Sequence, residues 1–197
     1  MRLLSALFCL VFPFFVHAQS SGKTIEQFTQ GMKAQPGFVS LYYDASSGKV
    51  YGEVSQLNQE ILYYTSLARG IGSNDIGLDR GKLGTEHVVK FEKMGQKLFL
   101  TEPNYAYRAI SNDPLEKKAV EESFAKSVHF AFDIVAQSKT AFLIDLTPFV
   151  LRDAVQAIES ISETNQGSFK IEPSRCAVFE EMTKSFPKNT EIETIIT

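Results

Sequence analysis

Short runs that alternate β-branched or aromatic residues with polar ones, arranged in pairs, constrain the fold of this chain most. One pair consists of "FVSLYYD" and "KVYGEV" around the link "ASSG". Another is the stretch "HFAFDIVAQSKTAFLIDLT", in which "QSKT" separates two such runs. Alternation with a period of two is typical of strands with one buried face, and a short polar link between two of them predicts an antiparallel hairpin.

Further stretches add to the predicted β content. Thr85–Glu92 and Lys97–Glu102 are predicted as two strands that turn at Gly95. The run "EILYYTSLA" is predicted as a strand that follows the first hairpin. The last residues, "NTEIETIIT", alternate in the same way and predict a strand at the end of the chain.

Two or three helices are predicted between these strands. The first lies in "KTIEQFTQGMKAQ" with Thr24 as its N-cap. The second, "DPLEKKAVEESFAKSV", has Asp113 as a cap and Pro114 in its first turn. A third begins at Pro148 in "PFVLRDAVQAIESI". The second helix carries an apolar stripe, made of Leu115, Val120 and Phe124.

The sum of these elements predicts an α+β fold of mostly antiparallel hairpins with two or three helices in a single domain. The 197 residues, 44% of them hydrophobic and 22% charged, are enough for one such domain with a real core. We expect a helical segment over 19–36 and the α+β domain over 37–197. Because "IETIIT" has the character of a strand without a partner, the domain is expected to be incomplete at its C-terminus.

The first 18 residues have the pattern of a secretory signal peptide. Arg2 precedes the apolar run Leu3–Val16, and small residues stand where a signal peptidase would cut after Ala18. The run is shorter than the roughly 20 residues that span a bilayer, and Pro13 interrupts it, which favours a signal peptide over an anchor. The mature protein is therefore expected to be periplasmic or extracellular, with no membrane segment.

Charge and cysteine content narrow the classes of function. The formal net charge is -3 without a large basic block, which argues against nucleic acid as a partner. Of the 2 cysteines, Cys9 lies in the predicted signal peptide, so Cys176 is left without an internal disulfide partner. We expect Cys176 to be a structural thiol.

The glycine-rich stretch "RGIGSNDIGLDRGKLG" is the candidate functional loop. It lacks the third glycine of a dinucleotide fingerprint, and its Gly-Lys precedes Leu instead of Ser or Thr, so it is no phosphate loop. Its oxygen side chains suit calcium, but the final Glu of an EF-hand is missing, which favours turn-forming roles with Arg80 paired to Asp75 or Asp79. The candidate binding or interdomain residues are Asn74, Asp75, Asp79 and Arg80.

Catalytic and metal-binding motifs are missing from the sequence pattern. His87 and His129 are predicted to stand on strands with no partner at ligand spacing, and "TEHVV" is not H-E-x-x-H. The sequence also lacks a nucleophile elbow for a Ser-His-Asp triad. We therefore predict no catalytic residue, no metal ligand and no cofactor in this chain.

Large secreted bacterial zinc-dependent metalloproteases of the met-zincin type have an N-terminal region that resembles "SLARGIGSNDIGLDRGKLGTEHVVKFEKMGQKLFLTEPNYAYRA". The resemblance continues through "AVEESFAKSV", "FVLRDA" and "SRCAVFEEMTKSFPKNTEIE" and covers nearly all of the mature chain. In that family the region is a domain of unknown function that precedes the catalytic domain. The resemblance implies a zinc site of the form H-E-x-x-H-x-x-G-x-x-H downstream of the point where this chain ends.

The resemblance implies a non-catalytic accessory or scaffold domain, a fragment that packs in cis against a downstream zincin domain. The glycine-rich loop would then face that domain. An alternative is a stand-alone secreted module that binds envelope glycans or peptides, and a calcium-dependent hydrolase is a third class. The binding module would use a surface of tyrosines, namely Tyr42, Tyr43, Tyr63, Tyr64, Tyr105 and Tyr107.

Overall fold

A computed structural model describes residues 23–72, 74–165 and 167–197. The predicted signal peptide, 1–18, lies outside these residues. The described part contains four short helices: α1 Ile25–Phe28, α2 Pro114–Ser123, α3 Thr147–Val150 and α4 Ala157–Ser162. Eight strands form one large sheet: β1 Lys33–Gln35, β2 Ser40–Asp44, β3 Lys49–Val54, β4 Ile61–Tyr63, β5 His87–Met94, β6 Lys97–Glu102, β7 Ser127–Gln137 and β8 Phe142–Asp145. Four two-residue strands follow: β9 Ala177–Val178, β10 Lys184–Ser185, β11 Thr190–Glu191 and β12 Thr194–Ile195.

The large sheet is curled and antiparallel throughout. Its strands lie in the order β1-β2-β3-β8-β7-β6-β5-β4. The three predicted hairpins are present as β2–β3, β5–β6 and β7–β8. The prediction of an α+β fold with mostly antiparallel hairpins is therefore confirmed.

Turn chemistry explains why the hairpins form where the sequence placed them. Asp44 accepts hydrogen bonds from the backbone N–H and the hydroxyl of Ser46, at 2.9 and 2.7 Å, which fixes the link after β2. Gly48 and Gly95 have φ angles of 68° and 60°, a left-handed conformation that suits glycine. These turns set the register of β2–β3 and β5–β6.

The core lies on both faces of the middle of the sheet. Val50 and Ile144 point into the main cluster, which also holds the fully buried Leu98 and Phe132. The neighbouring residues on β3 and β8 point the other way, into a smaller cluster that α1 covers, where the rings of Phe28 and Tyr51 lie 5.1 Å apart. Strands β3 and β8 are thus buried on both faces and anchor the domain.

The helices depart from the prediction in number and position. The first is only one turn long, held by the capping box between Thr24 and Gln27, and β1 follows it within the segment expected to be helical. The predicted third helix is broken into α3 and α4, because Gln156 adopts a φ of 57° and the carboxylate of Asp153 caps α4. Four short helices therefore replace the two or three expected.

Helix α2 lies outside the core. Its N-terminus is as predicted, since Asp113 accepts a hydrogen bond from the N–H of Leu115 at 2.8 Å and Pro114 occupies the first turn. No residue of α2 is buried, and Leu115 is 74% exposed. The predicted apolar stripe of this helix is therefore not covered by the core.

The C-terminal segment does not continue the large sheet. The predicted last strand is divided between β11 and β12, which pair with β10 and β9. The N–H of Phe38 donates to the carbonyl of Phe186 at 2.7 Å, and the N–H of Val39 donates to the hydroxyl of Thr190 at 3.0 Å. These bonds join the segment to the start of β2, so it belongs to the same domain.

The strand predicted at "EILYYTSLA" is shorter than expected, and only β4 forms there.

Tyr42 should make the stability of this fold sensitive to alkaline pH. Burial, and then the hydrogen bond that its hydroxyl donates to Glu53 at 2.7 Å, raise the pKa of Tyr42 from 10.0 to about 12. The folded state thus favours the protonated phenol, so this contribution is complete below pH 10.0 and is lost as the pH rises towards about 12. Urea unfolding of the wild type and Tyr42→Phe should show a stability difference that changes only in this range, and a difference independent of pH would contradict it.

Candidate functional site

Four neighbouring strands present one side chain each at the same end of the large sheet. Tyr63 is the last residue of β4, His87 is the first of β5, Glu102 is the last of β6, and His129 lies near the start of β7. Tyr63 and His87 stand directly opposite each other in the β4–β5 ladder. The cluster is therefore built on the backbone of the sheet.

A β-bulge brings His129 into this group. Leu100 pairs with Phe130, and Thr101 pairs with Val128, so His129 is an extra residue in the β6–β7 ladder. Such a bulge breaks the alternation of side chains and re-aims one of them. Phe130 packs against the core while the ring of His129 reaches Glu102 on the same side of the sheet.

The carboxylate of Glu102 joins the two imidazoles. Its Oε2 atom lies 2.9 Å from Nδ1 of His87 and 2.8 Å from Nε2 of His129. The two ring centroids are 4.5 Å apart, with the planes at 62°. The side chains of His87, Glu102 and His129 are 26%, 30% and 16% exposed, so the cluster is half-buried and open to small solutes.

The histidines keep Glu102 ionised. Burial alone raises the pKa of this carboxyl, but the hydrogen bonds from His129 and His87, together with their charges, outweigh it. The pKa of Glu102 is consequently lower than its ordinary value. The cluster offers a carboxylate, not a carboxylic acid, at neutral pH.

Aromatic rings and one arginine close the cluster on one side. The ring of Tyr63 stacks with that of His87 at 6.1 Å between centroids, and its edge meets His129 at the same distance. The Tyr63 hydroxyl accepts a hydrogen bond of 2.8 Å from Nη2 of Arg152. The guanidinium of Arg152 also lies over the ring of Phe149, 4.5 Å from its centroid, and donates to the carbonyl of that residue. This packing holds Tyr63 against both imidazoles.

The prediction for the two histidines is confirmed in one respect and wrong in another. Both lie on strands, as expected. They do have partners at ligand distance, because one ligand atom from each of His87, Glu102 and His129 lies within 4.8 Å of the others. The sheet makes this group from residues that are far apart in sequence, and spacing along the chain does not reveal it.

The glycine-rich loop connects β4 to β5 and has the form of a hairpin whose two arms are bonded to each other. A bridge between Ser66 and Leu83 closes its base, and the N–H of Ile71 donates to the carbonyl of Leu78 at 3.2 Å. The Leu78 side chain is fully buried and anchors the loop. Asn74 begins a short 3₁₀ turn at the tip.

The charged residues of this loop point to solvent. Asp75, Asp79 and Arg80 are all exposed. Among the ion pairs of the described residues, none joins Arg80 to either aspartate, so the expected pinning pair is wrong and Leu78 takes that role. Arg80 instead lines an open groove with residues of the loop and of the C-terminal segment, including Arg69, Phe179, Met182 and Glu193.

The six tyrosines that the binding-module hypothesis would use do not share one surface. Tyr64, Tyr105 and Tyr107 are exposed. The other three are half-buried: Tyr42 bonds to Glu53, Tyr63 bonds to Arg152, and Tyr43 packs against the main core cluster. Tyr42 and Tyr43 lie on opposite faces of β2, where they pack against different core clusters, so the six side chains do not form a single stacking platform.

The fold and this cluster define a β-rich α+β domain with a histidine–carboxylate site at one end of its sheet. The chain belongs to the family described as Domain of unknown function (DUF5117), whose model matches residues 81–197. The match includes His87, Glu102 and His129. Comparison with curated proteins and with solved structures gives no match. Within residues 23–72, 74–165 and 167–197, no helix has the length and apolar character needed to cross a membrane.

Proposed function

We propose that this chain is a non-catalytic accessory domain of an exported zinc-dependent metalloprotease-like protein, and that it packs against a catalytic domain that follows in the same polypeptide. The resemblance of its sequence to the N-terminal region of such proteases supports the proposal. The single structural observation that favours it is the glycine-rich loop, whose arms are bonded to each other and which presents charges beside an open groove.

The two arms of the loop are in contact with each other, as suits a docking element. Leu78 is fully buried, and a Cβ on Gly70 would lie 3.0 Å from both the Leu78 carbonyl oxygen and the Arg80 nitrogen, so the two arms of the loop are in close contact. A rigid surface loses little conformational entropy when it binds. The backbone from Leu78 to Arg80 is therefore held against the opposite arm of the loop.

The groove next to the loop combines cationic and apolar groups. Arg69 and Arg80 of the loop line it together with Phe179 and Met182 of the C-terminal segment, and Met182 is 54% exposed. A mixture of arginine, aromatic and methionine side chains is typical of surfaces that bind another protein. A catalytic domain with an acidic rim around apolar residues would fit this groove.

The first experiment is to read the DNA beyond the codon for Thr197, in all frames, for H-E-x-x-H. The proposal expects that motif. The parent protein is then made with Asp75, Asp79 and Arg80 all replaced by alanine. Peptidase activity and the free energy of unfolding of this variant should fall relative to wild type.

The control is Lys139→Ala, which removes an exposed cation from the turn between β7 and β8, away from the loop. It should leave both quantities unchanged. If the triple variant also leaves activity and stability unchanged, the interdomain role of the loop is wrong. If no zinc motif follows the chain, the accessory function itself is wrong.

A further inference from the structure

We propose that His87, Glu102 and His129 form a binding site for a divalent first-row transition metal ion of the Zn²⁺ class. This inference goes beyond the accessory function and does not depend on it. It rests on three side chains from three adjacent strands, β5, β6 and β7, whose ligand atoms lie within 4.8 Å of one another.

The distances in the cluster suit a metal ion after a small adjustment. Ligand atoms around tetrahedral zinc, at bond lengths of about 2.0–2.1 Å, lie about 3.3 Å apart. Glu102 Oε2 is now 2.9 and 2.8 Å from the two imidazole nitrogens. An opening of about half an ångström on each side would exchange two hydrogen bonds for three coordinate bonds.

The ligand set selects the class of ion. Two imidazoles and one carboxylate are the protein ligands of many open zinc sites, and imidazole favours Zn²⁺, Cu²⁺ and Ni²⁺. Mg²⁺ and Ca²⁺ prefer sites made wholly of oxygen, so they should compete poorly. Two neutral imidazoles and one carboxylate leave one positive charge on the bound ion, and a fourth position remains for water or an anion.

Proton positions change when the ion binds. In the metal-free cluster Glu102 accepts from Nδ1 of His87 and from Nε2 of His129, so these nitrogens carry the protons. A coordinating nitrogen must offer its lone pair, so each imidazole takes the other tautomer and its proton moves to the second ring nitrogen. A neutral imidazole thus binds the ion by changing tautomer without releasing a proton, and an imidazolium releases one proton to solvent when its nitrogen coordinates, so the proton count balances in either case.

The surroundings restrict the movement of the ligands. Tyr63 packs beside both imidazoles and is held by Arg152, which limits rotation of the rings. The ladder and the bulge fix the backbones of β5, β6 and β7. A bound ion would join the ends of these three strands and stabilise the sheet there.

The test is calorimetric titration of the purified, chelator-treated chain with Zn²⁺, followed by Co²⁺ titration with visible absorption. We expect one equivalent of Zn²⁺, a Co²⁺ spectrum of low coordination number, and a higher melting temperature with Zn²⁺ present. Glu102→Gln, which retains a hydrogen-bond acceptor, should weaken Zn²⁺ binding by at least about 10-fold. His87→Gln serves as a second variant, and circular dichroism shows whether each variant is folded.

The matched control is Glu92→Gln. Glu92 is also a half-buried carboxylate on β5 with a lowered pKa, but Lys126 and Thr101 are its partners. Its replacement should change Zn²⁺ affinity by less than about 3-fold. This is smaller than the loss of about 10-fold that is usual when a residue that only hydrogen-bonds to a metal ligand is removed. Absence of Zn²⁺ binding by the wild type would overturn the proposal, and so would equal binding by wild type and folded Glu102→Gln.

Discussion

Phe132→Ala is expected to lower the free energy of unfolding by about 3–5 kcal/mol, the usual loss for a large aromatic residue in a packed core. Phe132 is 1% exposed on β7 and pairs with Leu98 on β6. Its ring contacts three others, with centroids 4.8 Å away at Phe130, 5.3 Å at Phe149 and 6.1 Å at Phe91. Urea unfolding followed by circular dichroism measures the change.

Phe169→Ala is the matched control for this substitution. Phe169 is 43% exposed and belongs to neither core cluster, so its loss should change the free energy of unfolding by less than about 1 kcal/mol. Equal effects of the two substitutions would mean that the main cluster is not the core. A smaller denaturant slope for Phe132→Ala would indicate that β7 no longer folds cooperatively with the sheet.

The hairpins could be predicted from sequence because their signals are local. Each hairpin shows alternation in both of its strands and a glycine in its turn, Gly48 in β2–β3 and Gly95 in β5–β6, all within about fifteen residues. These signals alone predict the positions of the two hairpins. The same holds for the start of α2, where Asp113 and Pro114 act on adjacent backbone groups.

The arrangement of the hairpins depends on contacts that sequence patterns do not carry. β3 pairs with β8, and β4 pairs with β5 across the glycine-rich loop, so the sheet order is far from the chain order. The stripe of α2 illustrates the same limit. Apolar spacing that suits a helix face does not state whether anything covers that face, and Leu115 is exposed.

Two of the three residues of the histidine–carboxylate cluster could be placed together from the sequence. The turn at Gly95 sets the register of β5 and β6, and this register puts His87 and Glu102 at the same end and on the same face. The position of His129 could not be predicted, because strict alternation on β7 would place its side chain on the opposite face of the sheet from that of Phe130. The bulge that reverses its direction has no marker in the sequence.

Gly37→Ala is expected to release the C-terminal hairpin β10–β11 from the sheet. A Cβ at this position would lie 2.1 Å from the hydroxyl oxygen of Ser185 and 2.8 Å from both N and O of Phe186. The backbone of Phe186 cannot yield locally, because it is bonded to Phe38 and to Asn189. The expected loss of stability is about 1–3 kcal/mol, as for other overpacked sites. Hydrogen exchange at the Phe38 amide should become much faster.

Gly48→Ala separates this collision from the general effect of replacing a glycine. A Cβ on Gly48 meets nothing within 4 Å, but its φ of 68° makes the substitution strained, at about 1–2 kcal/mol. The two variants can therefore lose similar stability and still differ in where exchange increases. Gly48→Ala should affect the β2–β3 turn and leave the Phe38 amide protected. In Gly37→Ala/Ser185→Ala the contact with the hydroxyl is removed, together with the hydrogen bond of 2.8 Å that this hydroxyl donates to the carbonyl of Val39. The collision with the Phe186 backbone remains, so protection at Phe38 should stay low in the double variant. Full protection of Phe38 in Gly37→Ala alone would show that β10–β11 is held by other contacts.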